Sequence, residues 1–390
     1  MPNLSLVLIS GAPVGSSIQA PYNIADASYM PHDYRKLLRA TYPKLSPCLP
    51  SIGVFTAVAR TKTGTPTSSA IANNGTNWVV TGVVGTNNLY YTPDGITYTA
   101  TTTPASQDIR SVLNDGTNFV AVGTGGGNPL YSSTGTGTWS VSASAVLTNN
   151  STLQTCMTWA SSLGTVGRFC VVNNSFNFHT SDDRGVTWTA RNHGLGSNAF
   201  HVCWTGQKFI ATTGTANVIY TSTDGITWST FIMPFPTSAA TATKGGPISD
   251  GSGKVLWVDG TTNAIYTSLD HGVTWSQRLF ANPLAAGGII ALSNSGAPSY
   301  TNGRFFLPTV SGVLLVSTDL IGWAFADTPT AIAYTAGIAY KGSVYLCNVD
   351  NSTTAAYTLT EDTTYMRLPY PSQGGPANSW NNNMSFIKVQ

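Results

Sequence analysis

A short phrase recurs along this 390-residue chain: a Ser or Thr, an Asp, a Gly, a Thr and then an aromatic ring. It reads Ser181-Asp182-Asp183-Arg184-Gly185-Val186-Thr187-Trp188 and again Ser268-Leu269-Asp270-His271-Gly272-Val273-Thr274-Trp275. A form one residue shorter reads Ser222-Thr223-Asp224-Gly225-Ile226-Thr227-Trp228 and Thr92-Pro93-Asp94-Gly95-Ile96-Thr97-Tyr98. Reduced copies run from Ser133 to Trp139, from Ser317 through Asp319 to Trp323, and from Thr358 to Tyr365. The closing aromatics fall at 98, 139, 188, 228, 275, 323 and 365, spaced 40 to 49 apart. That period is the length of one β-propeller blade, a unit that buries its apolar faces only against its neighbours.

A second element lies about 20 residues ahead of each closing aromatic. It is a polar turn followed by an apolar strand, as in Asn74-Gly75-Thr76-Asn77-Trp78-Val79-Val80 and Asp115-Gly116-Thr117-Asn118-Phe119-Val120-Ala121-Val122. The offset inside each repeat is fixed while the linkers between repeats vary, as expected for four short strands joined by surface loops. The fold class expected is all-β: a seven-bladed β-propeller of four-stranded blades over residues 59–365, with closure beside the last blade from the strand Val54 to Arg60. Residues 1–58 and 366–390 flank it.

Ser and Asp side chains accept hydrogen bonds from their own turn, and Gly supplies a positive φ. Asp94, Asp183, Asp224, Asp270 and Asp319 are therefore read as structural. Trp188, Trp228 and Trp275 are large enough to fill the gap between blades. The phrase resembles the Asp-box, or BNR, repeat of sialidases, sortilin-type receptors and photosystem assembly factors. The resemblance covers roughly residues 60–365 and implies boxes on the outer rim, away from any ligand.

Charged residues make up 9% of the chain, 18 basic against 16 acidic, so no strong field exists for nucleic acid or an acidic membrane. A surface of Thr, Ser, Asn and Gly suits hydrogen-bonding contacts and exported or particle-borne β-proteins. Cys48, Cys156, Cys170, Cys203 and Cys347 form no paired spacing, and the five histidines show none typical of metal ligands. No cofactor or metal is expected. The run Leu4 to Ile9 has no basic residue before it, and no stretch approaches a membrane span.

Sialidases, which the boxes bring to mind, imply an arginine clamp for a carboxylate, a Tyr–Glu nucleophile pair and an Arg-Ile-Pro motif ahead of the boxes. Here the nearest string, Arg367-Leu368-Pro369, follows them, and Glu361 is the single Glu. No nucleophile elbow, P-loop or zinc motif is present. No catalytic residues are expected, and the alternative is a glycan-binding, lectin-like propeller or a sialidase-like glycoside hydrolase.

At the N-terminal end Pro31 to Thr41 is predicted as a short helix, with Tyr34, Leu37 and Leu38 on its apolar face. Arg35, Lys36, Arg39 and Lys44 concentrate charge there and are the candidate docking residues. The phrase Tyr34 to Leu45 resembles the helix of phage tail-collar and tail-fibre modules. The ending Phe386-Ile387-Lys388-Val389 and the segment Tyr365 to Pro369 resemble the close of the same proteins. That resemblance implies a non-enzymatic virion protein of a phage tail or baseplate, within a multimeric assembly. Its expected partners are other virion proteins and a host-surface glycan or protein receptor. The two ends are expected to pack together and carry the propeller.

Overall fold

The computed structural model describes residues 17–20, 29–31, 36–41, 54–61, 70–82, 89–103, 108–124, 128–143, 156–172, 177–240, 246–259, 264–278, 298–309, 314–326, 337–348, 355–367 and 384–388. Among them, seven antiparallel four-stranded sheets follow one another as blades. Blade 1 pairs Ile71–Asn73, Trp78–Thr81, Leu89–Thr92 and Thr99–Ala100 in chain order. Blades 2 to 6 repeat the pattern over 108–141, 157–192, 199–232, 248–278 and 299–325. Blade 7 takes three strands, Ile338–Lys341, Val344–Asn348 and Ala355–Glu361, from the end of the chain. Its fourth is Phe55–Thr61, laid along Ala355–Glu361 from Glu361↔Phe55 to Ala355↔Thr61. The first strands touch in chain order, and that of blade 7 touches that of blade 1, so the ring is closed.

The local chemistry explains the pattern. In the turns before the second strands, Asn74 Oδ1 accepts the amides of Thr76 and Asn77, and Asp115 Oδ1 those of Thr117 and Asn118. Such side-chain bonds hold a turn without help from neighbours. The second strands are buried on both faces, as in Trp78-Val79-Val80-Thr81 and Phe169-Cys170-Val171-Val172. They lie between two blades, so their apolar residues run on continuously instead of alternating. The core accordingly lies at the seams. Val79, Phe119 and Trp139 pack between blades 1 and 2; Ile210, Trp257 and Trp275 between 4 and 5; Trp78, Tyr98 and Leu346 between 7 and 1.

This topology gives the ring two unlike faces. The turns between first and second strands share one face with the boxes that join third to fourth. The remaining strand ends of each blade lie on the opposite face.

Three sequence expectations change. The predicted helix Pro31 to Thr41 is absent from the residues described there: Tyr29–Pro31 and Lys36–Leu38 are strands, and 39–41 form a turn. Leu37 is 5% exposed but Leu38 is 37%, the alternation of a strand and not one helical face. A helix of that length is marginal in water, whereas pairing of Lys36–Leu38 with Tyr365–Arg367 satisfies the backbone of both. The phrase Thr358 to Tyr365 is no box, because the strand runs on to Glu361 and the return strand comes from Phe55–Thr61. That fourth strand crosses the boundary placed at residue 58.

The two ends meet. Met384–Lys388 lies between Ser17–Ala20 and Tyr29–Pro31 as the middle strand of a three-stranded sheet. The Lys36–Leu38 ladder continues the outer pair of blade 7 through bonds from Asp362 N to Val54 O and from Arg39 N to Thr364 O.

Candidate functional site

The recurring phrases fold as turns closed by their own Asp side chains. Asp224 Oδ1 accepts the amides of Ile226 and Thr227 at 2.8 and 2.9 Å and the Ser222 hydroxyl at 2.9 Å. Asp94 does the same for Ile96, Thr97 and Thr92, and Asp319 for Ile321, Gly322 and Ser317. In the longer boxes Asp183 and Asp270 also accept the hydroxyls of Thr187 and Thr274 through Oδ2. Burial raises the pKa of Asp270, but the Thr274 hydroxyl and amide, the Ser268 hydroxyl and the Val273 amide together outweigh it, lowering it to about 2. The same balance lowers Asp94, Asp183 and Asp224.

The extra residue of the long box has a consequence for the closing ring. Arg184 and His271 occupy it at φ of 62° and 61°. With it, Trp188 Nε1 donates to Gly185 O at 3.1 Å and Trp275 Nε1 to Gly272 O at 3.2 Å. Trp228 of the short box and Trp139 of the reduced copy bury Nε1 without a partner among the described residues. All six closing aromatics from Tyr98 to Trp323 are buried. Trp228 stacks on Phe178 of the preceding blade, with ring centroids 3.7 Å apart and planes at 10°.

Each box also leans on the blade before it, a feature the spacing alone did not reveal. A Cβ on Gly272 would lie 2.4 Å from Ile210 Cδ1, and one on Gly185 2.8 Å from Val120 Cγ2. Polar bonds follow the same path around the ring. Asn74 Nδ2 donates to Thr134 O, Arg184 faces Asp115 at 3.6 Å, and His271 Nδ1 bonds Thr205 O at 2.9 Å. Arg168 holds Asp182 through two bonds of 2.6 and 2.8 Å and donates to Asp224 O in the next box. Arg278 donates to Ile321 O, and Lys341 to Pro93 O while lying 4.0 Å over the Trp78 ring. The boxes thus form a belt on one face that ties each blade to the next.

The belt changes at blade 7, where no box exists. There Glu361 accepts Tyr345 Oη at 2.6 Å and Arg304 at 2.8 Å, while Asn302 Nδ2 donates to Tyr345 Oη at 2.8 Å. A Tyr–Glu–Arg group is the arrangement a sialidase-like reading asks for, and no spacing along the chain pairs these three residues. The Tyr345 ring, however, is fully buried against Phe55, Phe306 and Tyr340. Burial first, and the Glu361 bond second, push its pKa up, away from a phenolate. Arg304 and Arg168 begin the second strands of blades 6 and 3 and each reaches the next blade, so they spread around the ring and do not converge.

Of the candidate docking residues, Arg35 and Lys44 lie outside the described residues, and only the backbone of Lys36 is described. Arg39 is half-buried beside the ladder formed by the two ends.

A central channel of about 310 Å³ runs between the first strands. Its described wall includes Val112, Met157, Val202, Ile248 and Ile338, with Asn73, Thr158, Ser299, Tyr300 and Thr301 among its polar groups. No Asp, Glu, Lys, Arg or His is among these lining residues. Several of the hydroxyls serve the ring itself: Thr158 accepts Trp204 N, Ser299 Ile338 N and Thr301 Tyr340 N. Cys203 is buried, which pushes its thiol pKa up and leaves it inert. Among the described residues no group of His, Cys, Asp and Glu is placed to hold a metal ion.

The chain has the fold of known propellers. Streptogramin B lyase superposes with a TM-score of 0.59 at 12% identity, over 79% of this chain and 98% of that one. Virginiamycin B lyase from Staphylococcus aureus gives 0.57 at 13%, over 78% and 99%. YCF48 bound to D1 peptide gives 0.53 at 17%, over 78% and 97%. At these identities the likeness is one of fold. No protein-family profile and no curated relative matches the sequence.

Proposed function

We propose that this chain is a non-catalytic propeller carried on a larger assembly by its paired ends, a phage tail or baseplate component that contacts the host. One observation carries the reading. Both ends leave the ring through the gap where blade 7 lacks a box, and they stay paired as Lys36–Leu38 with Tyr365–Arg367 and Met384–Lys388 with Ser17–Ala20 and Tyr29–Pro31. A closed ring has no need of such a module for its own core, which lies at the seams. The phage assignment rests on the resemblance of Tyr34 to Leu45 and of Phe386 to Val389 to tail-collar and tail-fibre proteins. The Asp-box assignment rests on the hydrogen-bond pattern of Asp183 and Asp270.

Two neighbours in fold are lyases and one binds a peptide, so the fold alone does not separate the classes. The described wall of the channel carries no carboxylate, His, Lys or Arg, so a charged acid–base pair would have to come from elsewhere. The Tyr345–Glu361–Arg304 group favours the second reading, a sialidase-like hydrolase. Its buried ring and raised pKa weigh against that use.

The experiment replaces the full chain in particles with residues 54–368, which retain the closing strand Phe55–Thr61. The shortened protein should fold as a soluble ring and be missing from purified particles. Normal incorporation would show that attachment runs through the blades. Glycoside turnover by the intact protein, lost in Glu361→Gln, would move the assignment to the hydrolase.

A further inference from the structure

The outer edge of blade 7 differs from those of the other blades. Its fourth strand, Phe55–Thr61, has seven residues, whereas the fourth strands of blades 1 to 6 have two to four. In blades 1 and 2 the chain beyond the fourth strand is also taken up by the next box. Thr102 N donates to Gly137 O, Thr102 O accepts Trp139 N, and Ala143 N donates to Val186 O. Short or covered edges keep a sheet from pairing with other chains. Among the described residues, no strand pairs with the outer side of Phe55–Thr61.

The register decides which groups that edge presents. Pairing with Ala355–Glu361 is unbroken from Glu361↔Phe55 to Ala355↔Thr61, and Asp362 N donates to Val54 O at 3.0 Å. Val54 therefore points its N–H and C=O inward, and with a period of two so do Thr56, Val58 and Arg60. Phe55, Ala57, Ala59 and Thr61 point theirs outward. Thr56, Ala59 and Thr61 are exposed, and Val58 is 42% exposed.

This edge is complementary to itself. With a two-fold axis at Val58, an antiparallel second copy places its Thr61 opposite Phe55 and its Ala59 opposite Ala57. Every outward residue then faces an outward residue, in pairs that each exchange two bonds. An axis at any other residue leaves part of the strand unpaired. Val58 meets its own copy in a pair without mutual bonds, where side chains approach most closely. The strand's one charged residue, Arg60, is held by a 2.9 Å bond from Nε to Thr358 Oγ1. It falls opposite Thr56 and four positions, about 13 Å, from its own copy, so no like charges meet. Such an isologous contact closes on itself and stops at two copies. We infer that the chain pairs with a second copy of itself along Phe55–Thr61, joining the two four-stranded sheets of blade 7 into one continuous sheet. The contact is narrow, so the dimer is weak and forms with rising concentration. It depends neither on the mounting nor on the host contact proposed above.

The test uses the isolated full-length chain with Cys48→Ser, since the other four cysteines are buried. Sedimentation velocity over a concentration series should show monomer passing to dimer. Ala57→Pro should abolish the dimer and keep the parent's far-UV circular dichroism, because the N–H it removes is unused in the ring. Oxidation reads the register. Val58→Cys should give a covalent dimer, its facing Cα atoms lying about 4.5 Å apart. Thr56→Cys, which faces Arg60, should not. These two exposed sites decide the matter even where Ala57→Pro fails to fold. A monomer at every concentration, a dimer that persists in folded Ala57→Pro, or equal cross-linking of the two cysteine variants would overturn the inference.

Discussion

The stacking of Trp228 on Phe178 makes the seam between blades 3 and 4 measurable. Trp228 is 6% exposed and Phe178 fully buried. Emptying a buried aromatic site costs about 3–5 kcal/mol. A stacked pair adds about 0.5–1.5 kcal/mol beyond the area it buries. Trp228→Ala should therefore destabilise by about 4 kcal/mol. Phe178→Leu, which keeps most of the volume, should cost less. If the ring unfolds as one unit of about 300 residues, its unfolding entropy is about 0.6 kcal/mol per degree, so Trp228→Ala should lower Tm by about 6 °C. The decisive quantity is the coupling. Guanidinium chloride unfolding of the parent, both single variants and the double variant, followed by far-UV circular dichroism, should give an interaction energy of about 1 kcal/mol. Phe178 also meets His193 edge-on at 5.4 Å, and Trp228 meets Phe209 at 6.0 Å. These contacts survive in one single variant each and do not enter the coupling. If the two variants add within about 0.3 kcal/mol, Trp228 acts inside its own blade and the seam argument is wrong.

Two further predictions concern the boxes. Gly272→Ala should cost about 2–4 kcal/mol, because φ is 77° and the new methyl would meet Ile210 Cδ1; Ile210→Val removes that carbon and should recover part of the loss in a thermal melt. Asp270→Ala should cost about 1.5–3 kcal/mol, through the donors left unpaired, without changing ligand binding. The folded pKa of Asp270 is lowered to about 2, so its contribution is complete above the unfolded carboxylate pKa of about 4 and disappears as pH falls through about 2. Denaturation series between pH 4 and pH 2 should show the parent losing more stability than Asp270→Ala; equal losses would mean that the box carboxylate is not the acid-sensitive group.

Much of the fold was legible in the chain because it is local and repeated. A Ser–Asp–Gly–Thr turn satisfies its own amides, and a Trp a fixed distance on has one seam to fill. Copies of such a unit at blade spacing leave few alternatives, so the blades, the turn bonds of Asp183 and Asp270, and the burial of Trp188 and Trp275 could be read from residues alone. Closure could be read only in part. The spacing of Thr358 to Tyr365 imitates a seventh box, yet Phe55–Thr61 is the partner that completes blade 7. Leu37 and Leu38 fit a helix in isolation, and only pairing with Tyr365–Arg367 makes them a strand with one inside and one out. The bonds from Arg168 to Asp224 O, from Lys341 to Pro93 O and from Arg304 to Glu361 join residues far apart in sequence that have no shared pattern. The same holds where Asn217 meets Thr237, and where Tyr266 and Asp259 bond Pro236 and Ser238. Local hydrogen bonding and periodic burial are written in neighbouring residues. Ring closure and the belt arise only when distant segments compete for the same strand edge or seam, and that competition is decided in three dimensions.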